Sequence, residues 1–593
     1  MKENHVWDLS VFYKDEESFL ADLATFKSLI PEVKAFEGKI KTGEGLEGYL
    51  ALDKKITKIY IKLAFFSGMR ADKNRKNADA VADESKVEIA LQALLAASAY
   101  FEPELLAYGK ENVEAFLASH PEFGEYSFQF EKLFRGQEHV LSADKEALLS
   151  NFGSYGSEAG NLYSLLTVAD YRPKKAKLSD GREIEVTQSN WTSLVAKEAK
   201  AEDRKAIFES LYSYYDEHKN VYGEIYNTGL QAQLATKKSR GYASILEEHL
   251  YGNAIPLDVF HNLVDVASSE EGTAPLKRYY ELRRKALGLE KHRSYDRFLQ
   301  IAKSEKTYTY EEARDLFFAS IASFPADFQA KAHEVLKEGY VDVYPGPGKR
   351  TGAYSNGGYD FHPFILLNWN GELDDAFTLA HESGHSIHTL YSEEAQPTLK
   401  QNYTIFVAEI ASTFNEHNLL DYLLQGDSLS HQDRIALLQK AIDEICSTFY
   451  RQTLFGHYEL LASELAEKGE PVNAAALSAI MVDLYKRYYG IDIAEEGLKP
   501  LVWCYIPHLF YTPFYVYQYA TSFTSSMLIY ERVKNKEAGA FEGYIDLLRS
   551  GGSDYPVEQV KKAGVDLTTK APFEAVVRRM NELVDLLEKE LGE

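Results

Sequence analysis

Apolar residues recur every three or four positions through most of residues 11–170, with charged residues between them. Stretches 54–66 and 85–100 show this clearly, and the spacing predicts helices with one buried and one solvated face. The pattern breaks at 177–186, where Lys177-Leu178-Ser179-Asp180-Gly181-Arg182-Glu183-Ile184-Glu185-Val186 predicts a hairpin with Asp180-Gly181 at its turn. A second helical run starts near Ser193, so two lobes are expected, 1–195 and 196–593. The charge-rich run 303–312 predicts a solvated connection. Further on, Gly346, Gly348, Gly352, Gly357 and Gly358 punctuate a loop, and the apolar run Phe364-Ile365-Leu366-Leu367 predicts a strand leading into the next helix. Helical spacing returns at 573–591, where a last helix is expected to cap the core. No low-complexity segment or internal repeat interrupts the chain. The fold class is therefore mainly α with a small β-sheet.

Composition narrows the function. With 593 residues and 45% hydrophobic positions, the chain can bury a large core. Lys plus Arg number 65 against 90 Asp plus Glu, a net charge of −25, which favours solubility and disfavours a nucleic-acid partner. Two cysteines, Cys446 and Cys504, are too few for a disulfide scaffold and suit a reducing compartment. The N-terminus carries no apolar signal region. The longest apolar stretch, 90–101, is interrupted by Gln92 and is too short to span a bilayer. The expected location is the cytoplasm, with no membrane partner.

His381-Glu382-Ser383-Gly384-His385 adds chemistry. Residues four apart share a helix face, so both imidazoles can reach one ion while Glu382 lies beside them. Asp374 and Asp375 follow Gly371 and precede Ala376-Phe377-Thr378-Leu379-Ala380, a helix start with acids in its first turn. Pro397 lies past the expected end, giving a helix of about four turns. Gly384 weakens a helix interior, so it marks either close packing or the approach of a backbone or ligand. His388 is read as supporting a ligand or as packing. Catalytic zinc takes three protein ligands and keeps one position open. Residues 404–416 read as a mostly apolar helix. Glu409 within it is costly to bury unless paired or metal-bound, the alternative being a place on the helix's polar edge. Glu416, two turns on, either accepts a hydrogen bond from a ligating imidazole or faces solvent.

Beyond these residues, Trp7-Asp8-Leu9-Ser10, Gly348-Lys349-Arg350-Thr351-Gly352-Ala353-Tyr354 and His362-Pro363-Phe364-Ile365-Leu366-Leu367-Asn368 form a wider pattern. With the metal motif, Phe406-Val407-Ala408-Glu409-Ile410-Ala411-Ser412, Ile506-Pro507-His508 and Pro513-Phe514-Tyr515-Val516-Tyr517-Gln518-Tyr519-Ala520-Thr521, the chain resembles the oligoendopeptidase F branch of the thimet oligopeptidase-like zinc peptidases along its whole length. The resemblance implies one zinc ion held by His381, His385 and Glu409, with Glu382 as general base. It implies that His508 and a following tyrosine contact the substrate. Tyr515 is the first choice and Tyr519 its rival, while Tyr517 is out of helical phase with both. It further implies two helical lobes flanking a deep channel, residues 196–593 forming the catalytic one, and a small sheet beside the zinc helix.

The expected activity is hydrolysis of internal bonds in oligopeptides, with a strand edge able to pair with an extended peptide. A carboxypeptidase or dipeptidyl peptidase with the same metal helix is the alternative, with Lys349 or Arg350 binding a substrate terminus. A non-catalytic scaffold with structural zinc is a third reading, and Glu382 argues against it. Cobalt or manganese also suits the ligand set.

Overall fold

The computed structural model describes residues 5–304, 306–426 and 429–592. Helices dominate, and the periodic stretches 54–66 and 85–100 lie within helices Gly43–Lys73 and Ala78–Ser98. Thr42 caps the first, its side chain accepting from the Gly45 amide, and Asn77 caps the second. The hairpin forms as expected: Lys174–Lys177 pairs antiparallel with Glu183–Val186, and Gly181 takes φ 89° at the turn.

The chain divides into two compact units, each gathered from separated stretches. One comprises the chain up to Glu138, Lys306–Tyr422 and Arg532–Ala563; the other comprises His139–Glu305, Leu423–Glu531 and the chain from Gly564 onward. The expected boundary near residue 195 falls inside the second unit, just past the hairpin. Each unit borrows distant segments to complete its core, so these units do not follow a single cut.

In the first unit, aromatic and aliphatic faces of the early helices meet in a core containing Phe12, Phe19, Phe26, Leu50 and Leu63, joined by Phe364 and Leu366. The Trp7 indole N–H donates to the Ile365 carbonyl at 2.8 Å, tying the N-terminal stretch to this core. Phe364 and Leu366 belong to Phe361–Leu366, the middle strand of a three-stranded sheet. Val341–Asp342 pairs with it in parallel and Tyr354–Gly358 in antiparallel fashion. The strand nearest the metal motif in sequence thus has both edges taken. The outer strands are Val341–Asp342 and the longer Tyr354–Gly358, which corrects the expectation that the strand entering the catalytic helix would offer its own edge. Both longer strands pack on helix Leu373–Ala395, which carries the metal motif.

In the second unit, the 40-residue helix Ala201–Arg240 buries Phe208, Leu211, Tyr212, Tyr215 and Tyr222 and ends at Gly241 in the left-handed region. The closing helix Ala571–Leu591 packs on His431–Glu444 and Glu270–Ala286, as its spacing predicts. The 303–312 run is less uniform than expected. Tyr308 and Tyr310 are buried, and a Thr309/Glu312 capping box starts helix Tyr310–Ser320 inside it; Glu305 lies outside the described residues. No described helix is long and apolar enough to cross a membrane.

Candidate metal centre

The motif helix runs Leu373–Ala395, about six turns. Glu372 and Asp375 form a reciprocal capping box at its start, and the Asn370 amide also donates to Asp375 at 2.9 Å. Its partner, Ile405–Gln425, carries Glu409 and Glu416. The Asn415 amide donates to the Ala380 carbonyl at 3.1 Å, fixing one helix along the other.

Gly384 sets their separation. A methyl group there would lie 2.4 Å from the Ala411 carbonyl oxygen and 2.6 Å from the Ser412 Cα. The neighbouring backbone therefore occupies the side-chain space, and close helix packing is what this glycine provides. Gly384→Ala should destabilise the fold by about 1–3 kcal/mol through overpacking, outweighing a helix-propensity gain of about 1 kcal/mol. Moving Glu409 and Glu416 outward should also weaken metal binding by about 10–100-fold. Urea unfolding together with calorimetric zinc titration checks both; wild-type affinity in the variant would show that this contact does not set the ligand spacing.

Three donor atoms meet between the helices. His381 Nε2 lies 3.2 Å from His385 Nε2, and Glu409 Oε2 lies 3.3 Å from the first and 3.6 Å from the second. Tetrahedral ligands about 2.0–2.1 Å from a zinc ion stand about 3.3 Å from one another, so the residues fit that ion. Among the described residues this is the group of His, Cys, Asp and Glu side chains arranged to hold a metal. The Glu416 carboxylate lies 2.5 Å from His381 Nδ1, fixing the ring so that Nε2 faces the other donors. Glu416 therefore supports an imidazole, which resolves the earlier choice. The Ser412 hydroxyl donates to Glu409 Oε2 at 3.0 Å.

The electrostatics favour positive charge at this point. Burial opposes protonation of His381, but hydrogen bonds with Glu409 and Glu416 win and raise its pKa well above the ordinary value. Burial pushes His385 the other way, to about 4, helped by the charge on His381. Burial also disfavours the Glu409 carboxylate, yet the His381 hydrogen bond and both imidazoles hold it down at about 2.

Glu382 is buried, 6% exposed, and its Oε2 has no hydrogen-bond partner. Burial pushes its carboxyl up to about 7; His381 opposes the rise, Glu409 and Glu416 add to it, and the Ser355 backbone N–H favours the charged form. Ser355 belongs to the edge strand, and its hydroxyl lies 2.8 Å from that of Ser386 on the motif helix. The sequence carries no sign of the Ser355 N–H contact with Glu382, because it is made by backbone. His388 packs: its ring stacks on Tyr403 at 3.6 Å, with neither nitrogen hydrogen-bonded.

The two cations proposed for a substrate terminus are already engaged. Lys349 is 4% exposed at its side chain and donates to Asp342 Oδ1 at 2.6 Å and to the Tyr344 carbonyl at 2.7 Å. Arg350 pairs with Asp72 at 3.1 Å.

In the second unit, His508, Tyr515 and Tyr519 form one partly buried cluster. His508 and Tyr515 are nearly parallel with centroids 6.0 Å apart, and Tyr519 lies edge-on to both, 6.4 and 5.6 Å away. Burial lowers the His508 pKa. Tyr517 points elsewhere, buried against Phe260 at 5.2 Å. The turn before Tyr515 is strained: Phe514 has φ 54°, unusual for a bulky residue. Its amide donates at 2.8 Å to Glu459 Oε1, a wholly buried carboxyl on helix Arg451–Lys468 that the sequence reading did not single out. A lone acid in the run Phe455-Gly456-His457-Tyr458-Glu459-Leu460-Leu461 is the signal that marks it.

Burial pushes Glu459 up to about 8 from 4.5, the Phe514 amide opposing. The fold thus keeps a proton that the unfolded chain releases. This contribution to stability is complete below about 4.5 and lost as pH rises through about 8, with a slope of at most about 1.4 kcal/mol per pH unit. Glu459→Gln keeps an acceptor for Phe514 and cannot ionise. Urea midpoints at about pH 5.5 and about pH 8.5 should therefore differ less in the variant than in the parent; equal differences would remove Glu459 from the account.

A helical body, a His-Glu-x-x-His helix and a third carboxylate from its neighbour define the class as metallopeptidase-like. A sequence profile of peptidase family M3 matches residues 194–579, and one described as Oligopeptidase F matches 104–172. The chain belongs to peptidase family M3. It is 32% identical to Oligopeptidase PepF of Bacillus subtilis (strain 168) over 591 residues, covering 99% of this chain and 88% of that protein. It is 31% identical to Group B oligopeptidase PepB of Streptococcus agalactiae serotype III (strain NEM316), covering 99% and 98%. A solved structure of a Chlamydophila abortus protein superposes with TM-score 0.90 at 30% identity, covering 100% of this chain and 98% of that one. Oligoendopeptidase-F from Enterococcus faecium superposes with TM-score 0.74 at 26% identity, covering 97% and 98%.

Proposed function

We propose that this M3 peptidase is a zinc-dependent endopeptidase acting on oligopeptides. The observation that carries the reading is the meeting of His381, His385 and Glu409 beside a buried Glu382 oxygen that has no other partner. His381 and His385 would hold the ion through Nε2 and Glu409 through a carboxylate oxygen. A zinc ion held there supplies Lewis acidity, polarising a carbonyl and acidifying a water.

The chain's own residues do the rest. Glu382 takes the proton from the attacking water and returns it to the leaving amine. Glu416 keeps the His381 ring oriented. The edge strand Tyr354–Gly358 offers main-chain groups to an extended peptide, which reads no side chains and so gives broad sequence tolerance. By the resemblance to oligoendopeptidase F, His508 and Tyr515 would supply N–H and O–H donors to the oxygen that gains charge as the peptide bond is attacked. Lys349 is buried and engaged, so the exopeptidase alternative would rest on Arg350, whose side chain is largely exposed with one nitrogen on Asp72. Buried, unpaired Cys446 and Cys504 fit a cytoplasmic location.

The test is an internally quenched peptide blocked at both ends. Cleavage is expected, with loss on chelation and recovery on adding zinc. Turnover only of peptides with a free terminus, or turnover indifferent to chelator, would overturn the proposal.

A further inference from the structure

On helix Leu373–Ala395, residues Glu382, Ser386, Thr389 and Glu393 are spaced four, three and four apart, so they share one face. The first two already touch the outer strand Tyr354–Gly358. The Ser355 N–H favours the charged form of Glu382, and the Ser355 hydroxyl lies 2.8 Å from that of Ser386. Further along the face, a methyl group on Gly358 would sit 3.4 Å from Thr389 Cγ2, in ordinary van der Waals contact. Glu393 completes the row and accepts from the Asp360 amide at 2.6 Å. The helix rises about 16 Å from Glu382 to Glu393. Five residues of strand, from Ser355 to Asp360, reach about the same distance, so the strand keeps step with the helix face.

The far end of that strand is where the backbone needs holding. Gly358 pairs with Phe361, leaving Tyr359 and Asp360 as a two-residue turn, and both have positive φ, 59° and 78°. Turns of this kind favour Asn-Gly or Gly-Gly, and the Cβ of a tyrosine makes the conformation costly. Strain of that sort persists only where neighbouring contacts impose it. Two acceptors do so here. Glu393, half-buried, takes the Asp360 amide, and the Phe361 N–H also favours its charged form. Gln401, 8% exposed, takes the Tyr359 amide at 2.8 Å through its side-chain oxygen. Gln401 is itself tied to the end of the motif helix. Its side-chain nitrogen donates to the Gln396 carbonyl at 3.2 Å, and its own carbonyl accepts from the Ser392 hydroxyl at 2.6 Å. The Asp360 side chain adds little, being 69% exposed with Lys58 3.9 Å away.

We propose that Glu393, together with Gln401, is a positioning residue: it clamps the Tyr359-Asp360 turn to the motif helix and so fixes the outer strand in the register at which it pairs with an extended peptide. The substrate half of this rests on the peptidase reading; the clamp does not. The strand then has two anchors. Ser386 holds Ser355 beside Glu382, and Glu393 holds the turn three helical turns away. Loss of the second anchor frees the far end of the strand while Ser355 stays in place. Peptide binding should therefore suffer more than the chemical step.

The full chain, supplied with zinc, is compared as parent, Glu393→Ala and Glu393→Gln. Amide hydrogen exchange read by mass spectrometry should be about tenfold faster across residues 354–361 in Glu393→Ala, and unchanged elsewhere in the first unit, as expected for loss of one acceptor. Steady-state cleavage of the blocked peptide should show KM raised about three- to tenfold with kcat within about threefold of the parent. Glu393→Gln keeps one acceptor oxygen for the Asp360 amide and should lie nearer the parent in both measurements. The clamp is overturned if exchange in the hairpin is unchanged, if it rises equally throughout the unit, or if Glu393→Gln is altered as much as Glu393→Ala. The positioning role is overturned if the hairpin loosens and KM does not move, or if the loss is confined to kcat. An inactive parent would refute the peptidase reading and the substrate half with it, while exchange still decides the clamp.

Discussion

Glu382→Gln is expected to keep the metal and lose about 10²–10⁴-fold in turnover. The substitution preserves the shape of a side chain that is 6% exposed, so the helix and its packing should survive. It removes the one property the site does not supply elsewhere: a carboxylate oxygen that is buried, unpaired and able to accept a proton. The neighbouring carboxylates are committed. Glu409 faces both imidazole Nε2 atoms, and Glu416 is bonded to His381 Nδ1. Neither can replace Glu382 without giving up a ligand or its support. Zinc content by elemental analysis and turnover of the blocked peptide are measured on the same preparation. Full zinc with turnover within about threefold of the parent would remove Glu382 as the base. Loss of both zinc and turnover would instead make it part of the metal's own support.

The residues legible in the sequence are those whose role follows from spacing along one element. His381 and His385 are four apart on a helix, and that spacing alone puts them on one face. Glu409 stood out because a carboxylate among Phe406, Val407, Ala408, Ile410 and Ala411 needs a reason to be there. Glu416 was ambiguous, since two turns of separation describe a buried support and a solvated surface equally well. Its 2.5 Å contact with His381 is made between helices, and helical spacing carries no information about the neighbour.

Other features were hidden because backbone makes them or because they join distant segments. The Ser355 amide beside Glu382 and the Phe514 amide on Glu459 are main-chain donors, which residue types do not advertise. Tyr354–Gly358 read as loop because its glycines break any alternation. Its pairing with Phe361–Leu366 decides which strand is the edge, and local pattern does not encode strand order. The discontinuous units are a further case. Apolar periodicity marks a helix's buried face without naming what covers it, and here that partner is often hundreds of residues away, as with Trp7 and Ile365.

The second large effect is expected from Tyr515→Phe: about a 10²–10³-fold fall in kcat with little change in KM, the loss typical of one donor to a developing oxyanion. Two observations favour Tyr515 over Tyr519. Tyr515 lies in a turn held at both ends of its strained residue: the Phe514 amide is bound by Glu459, and the Tyr515 amide donates to the Thr512 carbonyl at 3.2 Å. Its ring is nearly parallel to that of His508, whereas Tyr519 sits edge-on in the first turn of helix Tyr517–Lys534. A strained φ of 54° at Phe514 persists only where surrounding contacts impose it, and it sets the direction in which the next side chain leaves the backbone. Tyr519→Phe should accordingly change kcat by less than about tenfold. The variants share the same loss of one hydroxyl, so their difference reports role and not bulk. A larger loss in Tyr519→Phe than in Tyr515→Phe would exchange the assignments, and equal small losses would remove both tyrosines from the transition state.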